Sequence, residues 1–367
     1  MRTVIVTDGK YRMSIAAVRT LGRAGWRVVV TQTEADSHGT PPSFLSKYAA
    51  QTHWIPGSSA DASYADRLAE LLSRYDRPVL LALGAKTLHA VSKRLDRFSN
   101  LCDFLIAPPE TLDALNDKQQ VQQRAAELGL PTPKTYRDAP DAYPVIVKPR
   151  CGEKFGLKAG DRYIVANDEA SYLAAMEAVR KYDPNPIVQQ KIEGQGIGVS
   201  MALGKSGELL GAFCHRRIRE FPISGGPSSC CESFYDPDRI EKSYQLLKSF
   251  SFTGLAMVEW KGDSILEVNP RIWGSFPLTA QAQSPLIVRY AEAASGLEIA
   301  YTPCDYKLNV KARFTLSDAA SGVSQLLRGH FREGIAAAAD ALRVPDALYD
   351  PDDPKPYRAY LRGSLRR

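Results

Sequence analysis

The chain has 367 residues, 44% hydrophobic and 24% charged, enough for two or three domains or one elaborated enzyme fold. No apolar run approaches the roughly eighteen residues of a membrane span, so no membrane insertion is expected. A formal net charge of +6 is mild for this length and leaves anionic small molecules as plausible as nucleic acid.

The opening MRTVIVTDGK lacks the length and cleavage-site character of a signal peptide and reads as a first strand, TVIVTDG, closed by a glycine turn. An amphipathic helix over 14–24 and a second strand, WRVVVTQT, complete a βαβ opening. After a Ser/Pro/Gly-rich loop (36–43), the pattern gives a helix over 60–75, a strand PVLLALG and a helix over 87–97. This order predicts a doubly wound parallel sheet. The turn TDGKYRMS lacks G-x-G-x-x-G, so a dinucleotide site is not expected there.

Pro108-Pro109 marks a boundary, and a helix over 116–128 ends at Gly129. The strand signals YPVIVKPR, RYIVAN, PIVQQKI, GIGVSMALG, GELLGAFCHRRIREF, TGLAMVEWKG and SILEVNP follow, with helices over 168–182 and 238–250. This part reads as α+β with mostly antiparallel strands. Helix returns from 317, and the chain ends in an irregular Pro/Asp stretch and a basic tail read as a solvated end. The expected domains are 1–107, 108–190, 191–316 and 317–367. The six cysteines include no C-x-x-C pair, which suits free thiols in a reducing cytoplasm.

In VEWKGDSILEVN, two strands flank Gly-Asp-Ser, and a three-residue hairpin loop would place Glu259 directly across from Glu267. Asn269 then shares their face. A two-residue turn would offset that register and leave Glu259 solvated. Carboxylates ~5 Å apart repel by about 3 kcal/mol at an effective dielectric near 20, so a cation is expected between them. Oxygen donors without His or Cys suit Mg²⁺, which borrows further ligands from phosphate and so implies a nucleotide. Lys148 emerges from the end of a buried strand, either to snorkel to solvent or to meet phosphate, and leads into a basic glycine-containing loop.

Together these segments resemble the ATP-grasp superfamily, in particular its carboxylate-amine ligase branch and the carboxylases. The resemblance runs from about residue 3 to 317 and implies an N-terminal α/β domain followed by two α+β grasp subdomains. It implies Lys118 and Lys148 as phosphate lysines, residues 151–160 with Lys154 as a mobile phosphate lid, and Gln189, Gln190, Lys191, Ile192 and Glu193 as the adenine hinge. Gln189 and Gln190 stand where relatives commonly carry Glu, and Glu193 is the substitute for a ribose-binding acid. Glu267, Asn269 and Arg271 match E-x-N-x-R, with Glu259 as the upstream acid. The implied cofactors are ATP and Mg²⁺, with Mn²⁺ as the alternative metal.

The stretch from His215 to Ser229, HRRIREFPISGGPSS, resembles the RxxxxPxxGGPS segment of the ligase branch. It implies substrate contacts from Arg217, Ser224, Gly225, Gly226 and Ser228. Alternation places Arg217 and Arg219 on one strand face and Arg216 on the other. The strand lacks interleaved aromatics, so nucleic acid is not an expected partner. His215 and Cys151 read as bystanders, and Trp273 and Phe276 as core or pocket wall.

The resemblance implies a cytoplasmic ligase that activates a small-molecule carboxylate as an acyl phosphate and joins it to an amine, with Lys148, Arg217 and Arg271 in catalytic roles. A homodimer is common among such relatives. The alternatives are a carboxylase-like reaction through carboxyphosphate and a non-catalytic ATP-binding regulatory protein.

Overall fold

The computed structural model describes residues 2–151, 157, 163–223 and 225–365. Strands β1 (Thr3–Val6), β2 (Arg27–Thr33), β3 (Ala49–Ile55) and β4 (Val79–Leu81) form a parallel sheet of order β3-β2-β1-β4. Strand alternation divides its core. Val4, Val6, Val28 and Val30 pack with helix α1 (Arg12–Arg23) on one face, and Ile5, Val29 and Leu80 pack with α2 (Tyr64–Leu72) on the other. The helix expected over 87–97 is interrupted near Lys93-Arg94, giving α3 (Ala85–Ser92) and α4 (Leu95–Ser99). A doubly wound sheet is thus present, as the strand–helix alternation predicts.

Helix α5 (Pro109–Asn116) is separated from α6 (Lys118–Glu127) by Asp117, which caps α6 by accepting bonds from the backbone N–H groups of Gln119 (2.9 Å) and Gln120 (3.2 Å). A small antiparallel sheet follows, built from β5 (Thr135–Tyr136), β6 (Val145–Lys148), β7 (Ile164–Ala166) and β8 (Ile187–Gln190) in the order β5-β8-β6-β7. Helix α7 (Glu169–Arg180) packs on it behind a capping box of Asp168 and Ser171.

The large sheet contains β9 (Gly196–Leu203), β10 (Leu209–Glu220), β11 (Ser228–Phe234), β12 (Gly254–Lys261), β13 (Ser264–Asn269) and β14 (Lys311–Arg313), all antiparallel, in the order β13-β12-β9-β10-β11-β14. Helix α8 (Pro237–Ser249) covers one face together with α6. The other face carries α9 (Phe276–Gln281) and α10 (Leu286–Ala294). Their residues Phe276, Leu286 and Tyr290, with Trp273, share one apolar cluster with Val4, Val6 and α1. The N-terminal sheet is therefore clamped against the large sheet by a common core.

Helices α11 (Thr315–Leu327), α12 (Phe331–Arg343) and α13 (Pro354–Leu365) complete the chain. The Pro/Asp stretch is irregular up to Asp353, as expected, but the basic tail that follows it is ordered as α13, with Pro354 in its first turn and Lys355, Arg358 and Arg362 exposed. Asp353, 3% exposed, accepts bonds from Arg19 Nε (3.0 Å), Ser46 Oγ (2.7 Å) and the Lys47 N–H (3.0 Å), so polar composition here marks a buried network. Arg19→Ala leaves that carboxylate without its cation and is expected to cost about 3 kcal/mol in urea unfolding; a loss under about 1 kcal/mol would contradict this role for the network. Among the described residues no helix is long and apolar enough to cross a membrane.

Candidate active site

The hairpin of β12 and β13 decides the geometry. Its turn is two residues, Gly262-Asp263, with Lys261 paired to Ser264 and Trp260 to Ile265, so the expected three-residue loop is corrected. Gly262 adopts φ +53°, a left-handed conformation that glycine accepts without strain. A β-bulge at Leu266 then shifts the ladder by one residue and restores Glu259 opposite Glu267 and Met257 opposite Asn269. Gln122 of α6 donates Nε2 to the carbonyls of both Ile265 (2.8 Å) and Leu266 (2.9 Å), fastening the bulge from outside the hairpin.

The two acids are balanced by cations of this chain. Lys118 Nζ lies 2.9 Å from Glu267 Oε2, and Arg217 Nη2 pairs with Glu259 Oε2. Asn269 donates Nδ2 to Glu259 Oε1 at 2.9 Å, and its Oδ1 accepts from Arg271 Nη2 at 3.4 Å. Burial opposes ionisation of Glu267, but Lys118 and then Lys148 outweigh it and hold the carboxyl down to about 2. Lys118 is correspondingly raised by Glu267 against its own burial. Lys148 goes the other way: burial, reinforced by Lys118, brings it down to about 8 despite the two acids.

These side chains face a cavity of about 430 Å³ between the small and large sheets. Period-two alternation puts Ile146 and Lys148 of β6 and Met257, Glu259 and Lys261 of β12 on its walls, while Val145, Val147, Val258 and Trp260 point into core. The cavity brings together Lys118, Lys148, Gln189, Gln190, Ile192, Arg217, Gly225, Gly226, Ser228, Glu259, Glu267, Asn269 and Arg271. Lys191 and Glu193 are outside this lining and pair with one another. The Gln190 and Lys191 N–H groups donate to the carbonyls of Lys134 (2.9 Å) and Pro144 (3.1 Å). Gln189 Nε2 donates to Thr135 Oγ1 at 2.9 Å. Lys154, Ser224 and most of the 151–160 segment lie outside the described residues.

The expectation that Arg217 and Arg219 share a face is corrected. Arg217 pairs with Cys231 in the ladder and Arg219 with Cys230, so a bulge at Ile218 breaks the alternation. Arg219 turns away to Asp318 (2.8 Å) and Asp340 (2.7 Å), and Glu220 joins Arg217 at the cavity instead. Arg216 pairs with Glu232.

Gly225 has φ +133°, and a Cβ there would fall 1.7 Å from the Tyr163 hydroxyl oxygen. Strain and overlap coincide at this position. His215 lies against the cavity with Nε2 3.0 Å from Ser275 Oγ; burial, then Arg217, lowers it to about 3, so it is a neutral hydrogen-bonding group. Trp273 is fully buried and belongs to the core cluster with Phe276. Arg12, Met13 and Tyr163 also line the cavity and were not expected. Arg12 and Met13 come from the first helix of the N-terminal sheet, and no local motif ties them to a site more than 100 residues away.

Residues 115–275 match the ATP-grasp domain family. Among curated proteins, the carbamoyl phosphate synthase large chain of Streptomyces avermitilis is 28% identical over 257 residues, 63% of this chain and 22% of that protein. This chain thus spans about a fifth of the length of the curated relatives it matches. Among solved structures, the biotin carboxylase domain of the Hydrogenobacter thermophilus 2-oxoglutarate carboxylase, in complex with MgADP and bicarbonate, superposes with TM-score 0.59 at 14% identity, covering 84% of this chain and 73% of that one. The L-amino acid ligase of Bacillus licheniformis superposes with TM-score 0.59 at 15% identity, covering 81% and 75%.

Proposed function

From the premise that this chain has the ATP-grasp fold, we propose that it is an ATP- and Mg²⁺-dependent enzyme that phosphorylates a carboxylate and transfers the resulting acyl group to a nucleophile. The observation carrying this reading is the cross-strand pair Glu259 and Glu267, joined by Asn269 and facing Lys118, Lys148 and Arg217 in one cavity. Two facing carboxylates and an amide oxygen are a hard donor set that fits Mg²⁺. When bound, the ion would supply charge neutralisation at the phosphate oxygens.

The chain's own residues then divide the work. Lys118 and Lys148 hold phosphate oxygens, and Arg217 and Arg271 face the charge that develops on the transferring group. A carboxylate oxygen attacks the γ-phosphorus, ADP leaves, and the nucleophile displaces phosphate from the acyl carbon. No protein nucleophile is required. Gln189, with its amide nitrogen committed to Thr135, offers a carbonyl oxygen to the 6-amino group of adenine, which favours ATP over GTP.

Two routes share this first half. Bicarbonate as the acid, giving carboxyphosphate, has support from the bicarbonate complex of the carboxylase domain and from the carbamoyl phosphate synthase relatives. An organic acid captured by an amine has support from the amino acid ligase. ADP release stimulated by bicarbonate alone selects the first route, and release requiring an amino acid pair, with an amide seen by mass spectrometry, selects the second. ATP binding without ADP formation under either regime would refute the enzymatic reading.

Lys148 also makes binding depend on pH. With an ionisation near 8, it is charged below that pH and increasingly neutral above it, whereas a bound triphosphate favours the charged form. ATP affinity should fall as pH rises through 8, with proton uptake on binding at pH 8.5 that Lys148→Met removes. Calorimetry in two buffers of different ionisation enthalpy reads this directly, and zero uptake in the native chain would remove Lys148 from the phosphates.

A further inference from the structure

Arg12 is a cation of the cavity with no part in the phosphate chemistry above. It is the first residue of α1, far from the phosphate lysines in sequence, yet it lines the same cavity as Arg217 and Glu259. Its guanidinium carbon sits 3.8 Å from the centroid of the Phe314 ring. A Cβ on Gly274 would approach Arg12 Nη2 to 2.9 Å, so glycine at that position leaves the fork room beside the segment following Arg271. Tyr360 of α13 is a further neighbour, close enough to support its charge by a side-chain hydrogen bond. Three distant parts of the chain thus fix the orientation of one guanidinium.

Its charge, however, is not neutralised by an ion pair among the described residues, in contrast to Arg217 with Glu259 and Lys118 with Glu267. Asp346, an acid that influences it, is already engaged: its oxygens accept from the N–H and hydroxyl of Thr315 and from the Leu348 N–H at 2.8 Å. A half-buried guanidinium stacked on a ring, with its fork open to a cavity, is a receptor for a planar anion. Position adds to this. The phosphate lysine Lys118 is bound to Glu267, whereas Arg12 packs at Gly274, beyond Arg271 and toward Ser275.

We propose that Arg12 binds a carboxylate of the organic substrate, so that the N-terminal sheet and α13 supply the specificity end of the cavity. The inference rests on the acyl-phosphate reading for what fills the remainder of the cavity, and it limits the organic substrate to molecules bearing a carboxylate that is held rather than phosphorylated.

The test titrates the full chain with the twenty L-amino acids, succinate and glutarate, each beside its methyl ester or amide, with and without ADP. At least one carboxylate should bind the native chain and its neutral derivative should not. Arg12→Gln should weaken that carboxylate at least ~30-fold while ADP affinity stays within about threefold, and Arg12→Lys, which keeps charge but loses the fork, should fall between them. ADP affinity reports folding of each variant. Equal carboxylate binding by the native chain and Arg12→Gln, or no carboxylate bound by the native chain, overturns the proposal. Failure of the native chain to bind ADP while a carboxylate still binds through Arg12 would instead overturn the nucleotide reading.

Discussion

Glu267→Gln is expected to lower ADP formation by about 10²- to 10³-fold, the effect of losing one charged group that acts on the transferring phosphoryl. The substitution keeps shape and a carbonyl oxygen for Lys118, so it removes a negative charge and a hard donor with little change of packing. At Glu267 the charge is a deliberate property of the site: burial favours the neutral acid, yet Lys118, Lys148 and Arg217 keep it ionised far below neutral pH. In the variant Lys118 and Lys148 face one another with only Glu259 to offset them. ATP affinity without metal should therefore rise or stay level while the Mg²⁺ dependence of binding collapses. Near-native ADP formation in Glu267→Gln would remove the metal role from this hairpin.

The largest effect on stability is expected away from the cavity. Arg219, 8% exposed, bridges Asp318, 1% exposed, and Asp340, tying β10 to both helices of the α11–α12 pair. Arg219→Ala leaves a buried carboxylate without a cation, and removal of one partner from such a pair costs about 3–5 kcal/mol. Urea unfolding should show that loss, and Arg219→Met combined with Asp318→Asn should recover much of it, because the penalty is the uncompensated charge. A single-variant loss below about 1 kcal/mol would mean that α11 and α12 are held by packing alone.

Local signals carried most of the fold. Strand alternation marked β1, β2, β6 and β12, and the helical run over 116–128 marked α6, whose start the Asp117 cap sets two residues later. Two bulges limited the same reasoning. At Leu266 a bulge offset the two-residue turn, so the Glu259–Glu267 pairing followed from a wrong loop length; at Ile218 a bulge sent Arg219 to the opposite side before the register was restored at Glu220. A bulge depends on contacts from elsewhere, here Gln122 on the carbonyls of residues 265 and 266, and so has no signature in the strand itself. Arg12 and the docking of α13 escaped for the related reason that both depend on packing between segments hundreds of residues apart. The polar Pro/Asp stretch before α13 resembles a loop because its acids are satisfied by Arg19, Ser46 and Lys47, which the local pattern does not contain.

Formation of an acyl phosphate is tested most directly by following oxygen. Turnover with whichever acid stimulates ADP release, bicarbonate or an organic acid, supplied ¹⁸O-labelled, should yield inorganic phosphate carrying one ¹⁸O from the acid in each turnover. Phosphate released with ADP but free of label would show that water attacks ATP, and would contradict carboxylate activation by this chain.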